Sequence, residues 1–402
     1  MDIHWVANCV VPPPSSLSGG DRIMVECIRR WTGRHPVTLY GWEGTRQLCE
    51  HQKLEGIHHV NWSAARWQFL GKGGLFAAQT WIGCREARRV NFSKDRSPLI
   101  VSSSDFLPDS LPALEWKRRR PDIPWVAAFY LFAPPLADFM SGKPGPGGLF
   151  TMYRPVQQWY LRRMLKHADM ILVTGEEDRE RMMALGRSPD SVFAVRGGVD
   201  LTIPRSVPEP SEKRYDAVFI GRFHPQKGVR ELLEIWKRVV AEKPDARLAM
   251  IGLGVLEGEL REMRKQMRLE DRVDFPGFLD GVEKYRVIKA SRVVVHPAIY
   301  DSGGMAAAEA LVCGLPGVAF DLLSLKTYYP KGFLKAREGD LGEFAGNILR
   351  LLNDADRYAS LSAEARAAGA EWDWDVRAQQ ILDAISQRLR GLGMTWSQGG
   401  AS

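Results

Sequence analysis

Residues 217–228 read AVFIGRFHPQKG and residues 293–309 read VVVHPAIYDSGGMAAAE. Both share one grammar: a short apolar run, a turn of small or polar residues, then a segment with helical periodicity. A strand that feeds a helix through a tight turn, repeated within one half of a chain, is the building unit of an open parallel sheet. Ligands of such sheets bind outside the carboxyl ends of the strands, where these turns lie. The turn after AVFI holds Gly221 and Gly228, which allow close backbone approach, together with Arg222 and Lys227. A guanidinium forks onto two oxygens, an ammonium is a mobile point charge, and the positive end of the next helix adds to both, so the pattern suits a phosphate. A plain turn with solvated cations is the competing reading. After VVVH, the amides of Ser302, Gly303 and Gly304 form a second candidate anion cradle at a helix start. Asp301 precedes that turn, and Glu309 lies about a turn and a half inside the helix. The two carboxylates suit two hydroxyl-bearing parts of one ligand. Alternatively, Asp301 caps the helix and Glu309 faces solvent. The flank AAAEALVCG is nearly all apolar, so Glu309 is expected to be half buried and in need of a partner.

The same alternation extends in both directions. In the first half the expected strands are Ile3–Ala7, Val37–Tyr40, Leu99–Ser102, Trp125–Phe129 and Met170–Val173, with helices from Gly20 to about Trp31 and from about Tyr153 to His167. In the second half they are Ala217–Ile220, Arg247–Ile251, Val273–Phe275, Val293–His296 and Val318–Phe320. Helices are expected over Val229–Val240, over Ala306–Cys313 closed by Gly314, and from about Val376 to Leu389. Residues 204–214 read PRSVPEPSEKR, and prolines remove backbone donors, so this stretch is expected as a linker between two α/β domains. The division is residues 1–203, a linker 204–214, and 215–375, with a C-terminal helix of about 376–395 packing back on the first domain.

With 402 residues, 45% of them hydrophobic, the chain has ample material for two cores. The net charge of +7 points to anionic partners. The densest basic run is Lys117–Arg120, with Arg162, Arg163 and Lys166 on a helical pattern. A solvated basic face is the plain reading, and contact with a membrane surface or lipid-linked substrate is the alternative. No nucleic-acid module is recognisable. The five cysteines, Cys9, Cys27, Cys49, Cys84 and Cys313, form no CxxC pair, which argues against a disulfide framework or zinc site and fits a reducing cytosol. No signal peptide and no membrane-spanning run is expected. Trp62, Trp67 and Trp81 lie in a stretch with Phe69 and Phe76. Core packing is the preferred reading of them, with an acceptor groove or membrane face as alternatives.

GRFHPQKG, followed downstream by a carboxylate, seven residues and a glutamate, resembles glycosyltransferase family 4. The likeness covers most of the chain and is strongest from about Tyr215 to Asp321. It extends to Val195–Asp200, similar to that family's NGVD stretch, and to the early Gly19-Gly20 turn. The resemblance implies the GT-B fold, two Rossmann-like doubly wound domains facing a central cleft. It implies that Arg222 and Lys227 hold the donor diphosphate and that Glu309 holds the ribose. Asp301 would hold donor-sugar hydroxyls, with the amides of Gly303, Gly304 and Met305 nearby. Gly19, Gly20, Gly221 and Ser302 complete the implied donor-binding set. Three departures stand out. Asp301 is one methylene shorter than the usual Glu, Gly303 replaces a common aromatic, and the turn Phe129–Pro135 lacks the histidine often found there. Tyr130 is the substitute hydroxyl in that turn, so the implied catalytic set is Asp301, Arg222, Lys227 and Tyr130.

The function implied is a retaining transfer of a hexose from a nucleoside-diphosphate sugar to a glycan or lipid-linked acceptor, without a metal or other cofactor and without nucleic acid. The setting implied is cytoplasmic, with peripheral contact at the inner face of the cell membrane. The alternatives are a non-catalytic nucleotide-sugar-binding scaffold and a GT-B epimerase or phosphorylase. Donor base, sugar, acceptor and oligomeric state are not readable from these residues.

Overall fold

The structure is a computed structural model that describes residues 1–12, 18–93, 96–133, 148–301 and 305–394. The chain divides into two compact units. The described residues of the first fall within Met1–Pro135, Gly148–Gly197 and Ala378–Ser402; those of the second fall within Gly198–Arg377.

The first unit holds a seven-stranded sheet in the order β3-β2-β1-β4-β5-β6-β7. Its strands are β1 (Asp2–Val6), β2 (Val37–Gly41), β3 (Ile57–Asn61), β4 (Pro98–Ser102), β5 (Trp125–Ala128), β6 (Met170–Val173) and β7 (Val192–Ala194). The second holds a six-stranded sheet in the order β10-β9-β8-β11-β12-β13. Its strands are β8 (Tyr215–Ile220), β9 (Leu248–Ile251), β10 (Val273–Gly277), β11 (Ser291–His296), β12 (Gly317–Phe320) and β13 (Phe333–Ala336). Every pairing is parallel. The units are therefore two Rossmann-like sheets, the α/β class the turns indicate.

Burial explains the sequence pattern. A central parallel strand is covered on both faces and reads as a continuous apolar run, as MILV in β6 and LAMI in β9 do, every residue buried. The unforeseen strands β3, β7 and β13 are all sheet edges. β3 reads IHHVN and has no fully buried residue, so it carries no such run. The helices bury one stripe each. Helix Val229–Glu242 buries Val229, Leu232, Leu233, Trp236 and Val239. Helix Gly19–Trp31 is capped by Ser18, whose Oγ accepts from the Asp21 amide at 3.1 Å. The second core includes Phe219, Trp236, Phe320 and Phe344. The first is rich in aromatics, with Trp62, Trp116 and Tyr40 in mutual contact.

The proline-rich stretch 204–214 belongs to the second unit. Pro204 closes into helix Thr202–Ser206, and Val207 is buried in that unit's core. The chain crosses between units at Gly197–Gly198 and returns at Arg377–Ala378. Helix Trp374–Gly391 ends in the first unit. The Trp31 indole donates to the Ala378 carbonyl at 3.1 Å, and Arg388 pairs with Asp190. The basic run is only partly a solvated face. Lys117 is buried, pairs with Asp169 at 2.8 Å and donates to the Pro121 and Ile123 carbonyls. Of the aromatic stretch, Trp62 is core, whereas Phe69 and Trp81 are 78% and 56% exposed. None of the described helices is long and apolar enough to cross a membrane.

Candidate functional site

In the second sheet the chain steps outward from β8 to β9 and β10, then returns to place β11 on the other side of β8. A ligand crevice opens at such a reversal, beyond the strand ends. The two strands that flank it are those that carry GRFHPQKG and HPAIYD. The loops they feed are clasped together, since the Ile299 and Tyr300 amides both donate to the Gln226 carbonyl, at 3.1 and 3.2 Å. Gly228 makes the clasp feasible. It takes a left-handed φ of +64°, and a Cβ there would overlap the Pro297 carbonyl oxygen.

The clasp sets Lys227 beside Asp301, with Nζ to Oδ2 at 2.6 Å. His296, the last residue of β11, brings Nε2 within 3.0 Å of the same Oδ2. An ionised carboxylate only accepts, so Nε2 carries the proton of that bond. The Asp301 side chain is 6% exposed and that of His296 is 3% exposed. Burial alone would push the Asp301 carboxyl up, but the Lys227 charge and the His296 hydrogen bond outweigh it and hold the group well below the ordinary carboxylate range. Burial lowers the His296 imidazole, against the pull of Asp301. Arg222 is exposed, and its guanidinium has no hydrogen-bond or ion-pair partner among the described residues. On β13, burial brings the Lys335 ammonium down to about 8.

Glu309 sits in helix Met305–Leu311 with its side chain 24% exposed. Its partner is Lys284, whose Nζ lies 2.9 Å from Glu309 and 3.1 Å from Asp280. Burial disfavours the Lys284 ammonium, yet the two carboxylates raise it overall. Ser302, Gly303 and Gly304 lie outside the described residues; Met305 begins the helix that follows.

The first unit repeats the device. Its reversal lies between β1 and β4, and here a side chain makes the clasp. Asp109 accepts from the Asn8 and Cys9 amides after β1, at 2.5 and 2.8 Å, and from the Ser104 hydroxyl after β4, at 2.5 Å. Gly19 and Gly20 open the helix after β1. Gly20 faces the Tyr130 ring, so a Cβ there would lie 2.9 Å from Cδ2. Asp21 adds a carboxylate to that helix start, raised by burial against its bonds to Ser18.

Lys227 and Asp301 thus meet in the second unit, as Gly20 and Tyr130 do in the first. Sequence reasoning missed His296, Lys284 and Asp109. His296 carried a signal, a histidine ending an apolar strand five residues before a candidate acid. Lys284 and Asp109 carried none, because only the topology sets them against Glu309 and the loop after β1.

Two family models match successive parts of the chain. Residues 18–198 match a glycosyl transferase 4-like domain, and residues 203–368 match the glycosyl transferases group 1. A D-inositol 3-phosphate glycosyltransferase of Thermobispora bispora is 26% identical over 245 residues, 56% of this chain and 57% of that protein. A GDP-mannose-dependent monoacylated alpha-(1-6)-phosphatidylinositol monomannoside mannosyltransferase of Corynebacterium glutamicum is 27% identical over 179 residues, 42% of this chain and 46% of that one. The chain spans about half the length of these curated relatives. Among solved structures, HepE of Anabaena in complex with UDP and glucose superposes with a TM-score of 0.70 at 16% identity, covering 96% of this chain and all of that one.

Proposed function

The chain belongs to the GT-B glycosyltransferases, and from that premise we propose that it transfers a hexose from a nucleoside-diphosphate sugar to a glycan or lipid-linked acceptor, with retention at the anomeric carbon. The observation that carries the proposal is the meeting of Lys227 and Asp301 at the β8/β11 reversal. It joins a cation suited to a diphosphate with a carboxylate suited to sugar hydroxyls. Arg222, whose guanidinium has no partner among the described residues, adds a second cation on the same loop. The HepE complex with UDP and glucose and the GDP-mannose dependence named for the corynebacterial relative support a nucleotide-sugar donor.

In this reading Arg222 and Lys227 take the charge that develops on the leaving diphosphate, the kind of electrostatic stabilisation that carries much of enzymatic rate enhancement. Asp301 orients the sugar, and Glu309 receives the ribose hydroxyls. No side-chain nucleophile and no bound metal is required. In the first unit, the Gly19-Gly20 helix start belongs to the donor-binding set and Tyr130 supplies a hydroxyl to the reaction. Exposed Phe69 and Trp81, with Arg85 5.0 Å over the Trp81 ring, support peripheral contact with a membrane that holds a lipid-linked acceptor.

A screen of common nucleotide sugars for hydrolysis and binding tests the proposal. One donor should turn over, and Lys227→Ala and Arg222→Ala should each lower its kcat/KM about 100-fold or more. Wild-type activity in both variants would remove the phosphate assignment. Binding without turnover of any donor would favour the scaffold reading, to which the histidine-free Phe129–Pro135 turn points.

A further inference from the structure

Lys227 has two claims on it. It is the nearer donor to buried Asp301 Oδ2, at 2.6 Å, and in the proposed reaction it also serves a diphosphate. A carboxylate this deeply buried needs hydrogen-bonded compensation, and losing a charged partner is costly. When the ammonium turns toward phosphate oxygens, something else must hold Asp301.

A second donor on that oxygen, His296, is built differently. Lys227 reaches Asp301 on a flexible four-carbon stem from the clasp loop. His296 reaches it from the last residue of β11, a central strand paired with β8 and β12. The imidazole is fully enclosed and lies edge-on to the Tyr329 ring at 6.3 Å. Its hydrogen bond to Asp301 is the shorter-range anchor of the two in sequence and the one with no freedom to swing. The charged and titratable groups that face it are Asp301, Lys227 and Lys335, with Tyr329 beside it.

We propose that His296 is a positioning residue that keeps the Asp301 carboxylate in place while Lys227 moves to the donor diphosphate. This rests on the reading of Lys227 and Asp301 as donor-site groups. It assigns His296 a share in donor recognition although it touches no donor atom. It also accounts for a short Asp301: the strand-end imidazole sets where the carboxylate must end.

The test is a double-mutant cycle read by calorimetric binding of uridine and guanosine diphosphate. With His296 gone, Asp301 leans more heavily on Lys227, and diphosphate must compete for that ammonium. His296→Ala should therefore weaken binding of whichever nucleotide the wild type takes by about 10- to 100-fold, the range for a lost hydrogen bond to a charged group. In an Asp301→Asn background the same change should do almost nothing, because no charge remains to hold. A general packing role predicts equal losses in both backgrounds and would overturn the proposal. Should His296→Ala fold poorly, His296→Gln keeps an N–H donor and should bind within about threefold of wild type; a loss as large as that of His296→Ala would also overturn it. If wild type binds neither nucleotide, or Lys227→Ala binds as wild type does, the parent reading has failed instead. The His296 half is then still decided by side-chain ¹⁵N NMR of the ligand-free protein. A proton on Nε2 that Asp301→Asn perturbs supports the contact, and a proton on Nδ1 refutes it.

Discussion

At the scale of single residues, both carboxylates of the candidate donor site are already occupied by lysines. Lys227 holds Asp301 and Lys284 holds Glu309. The two pairs are not alike. Lys227 faces one acid and a prospective diphosphate, whereas Lys284 is shared between Glu309 and Asp280 on one side of a half-buried contact. In the proposed reading a ribose on Glu309 leaves Lys284 in place, as a brace on the carboxylate's orientation. Lys284→Met keeps the stem and removes the charge. It should raise the donor KM about tenfold with kcat changed less than threefold, the pattern of lost ground-state binding. An equal fall in kcat and kcat/KM would instead place the contact in the transition state. The two acids also differ in legibility. Glu309 amid alanines announced a need for a partner, but its identity lay 25 positions upstream on another helix. His296 was legible as a strand end and not as a ligand of Asp301, because sequence spacing does not say which way a strand's last side chain turns.

At the scale of elements, the loops matter more than the helices they introduce. The β8 and β11 loops are tied by two hydrogen bonds to one carbonyl and by the close passage of Gly228 under Pro297. Gly228→Ala combines left-handed strain with overlap against backbone, which has no side-chain freedom to yield. A loss of about 2–4 kcal/mol is expected, measured as a lower denaturant midpoint at unchanged m-value. A neutral outcome would mean the clasp opens without cost. Central strands and helices such as Gly19–Trp31 and Val229–Glu242 were readable because burial on both faces or along one stripe leaves a period in the sequence. Edge strands β3, β7 and β13 were not, since an edge needs no full apolar run. Helix Gly71–Ala87 was hidden by its four glycines and by exposed Trp81, which breaks the stripe that marks a one-sided helix. The linker was misplaced for a related reason. Prolines exclude sheet interiors, yet they do not prevent a segment from packing, and Pro204 and Val207 are buried.

At the scale of the whole molecule, two kinds of buried acid pull stability in opposite directions with pH. In the first unit, burial pushes the Asp105 carboxyl up to about 6, against its bond from Gln157. It pushes Asp109 up to about 7, against three donors. A group raised above its unfolded value of 3.8 contributes stability that is full below that value and is lost as pH rises through the folded one. These two acids therefore make the fold weaken between about pH 4 and pH 7, since the unfolded chain releases protons that the folded chain retains. Asp301 in the second unit works the other way. Held below 3.8 by Lys227 and His296, it contributes stability above that value and loses it as pH falls through its lowered folded pKa. Asp109→Asn separates the two effects, because the amide oxygen still accepts from Asn8 and Cys9 while no charge is buried. Thermal melts from pH 4 to pH 8 should show wild type losing Tm between about pH 4 and pH 7 and Asp109→Asn losing less over the same window. Asp301→Asn should leave that slope intact and change the acid limb alone. Were Asp109→Asn to reproduce the wild-type slope, Asp109 would have to be ionised throughout, with its three donors outweighing burial, and the clasp of the first sheet would then be a charged one, unlike the backbone clasp of the second.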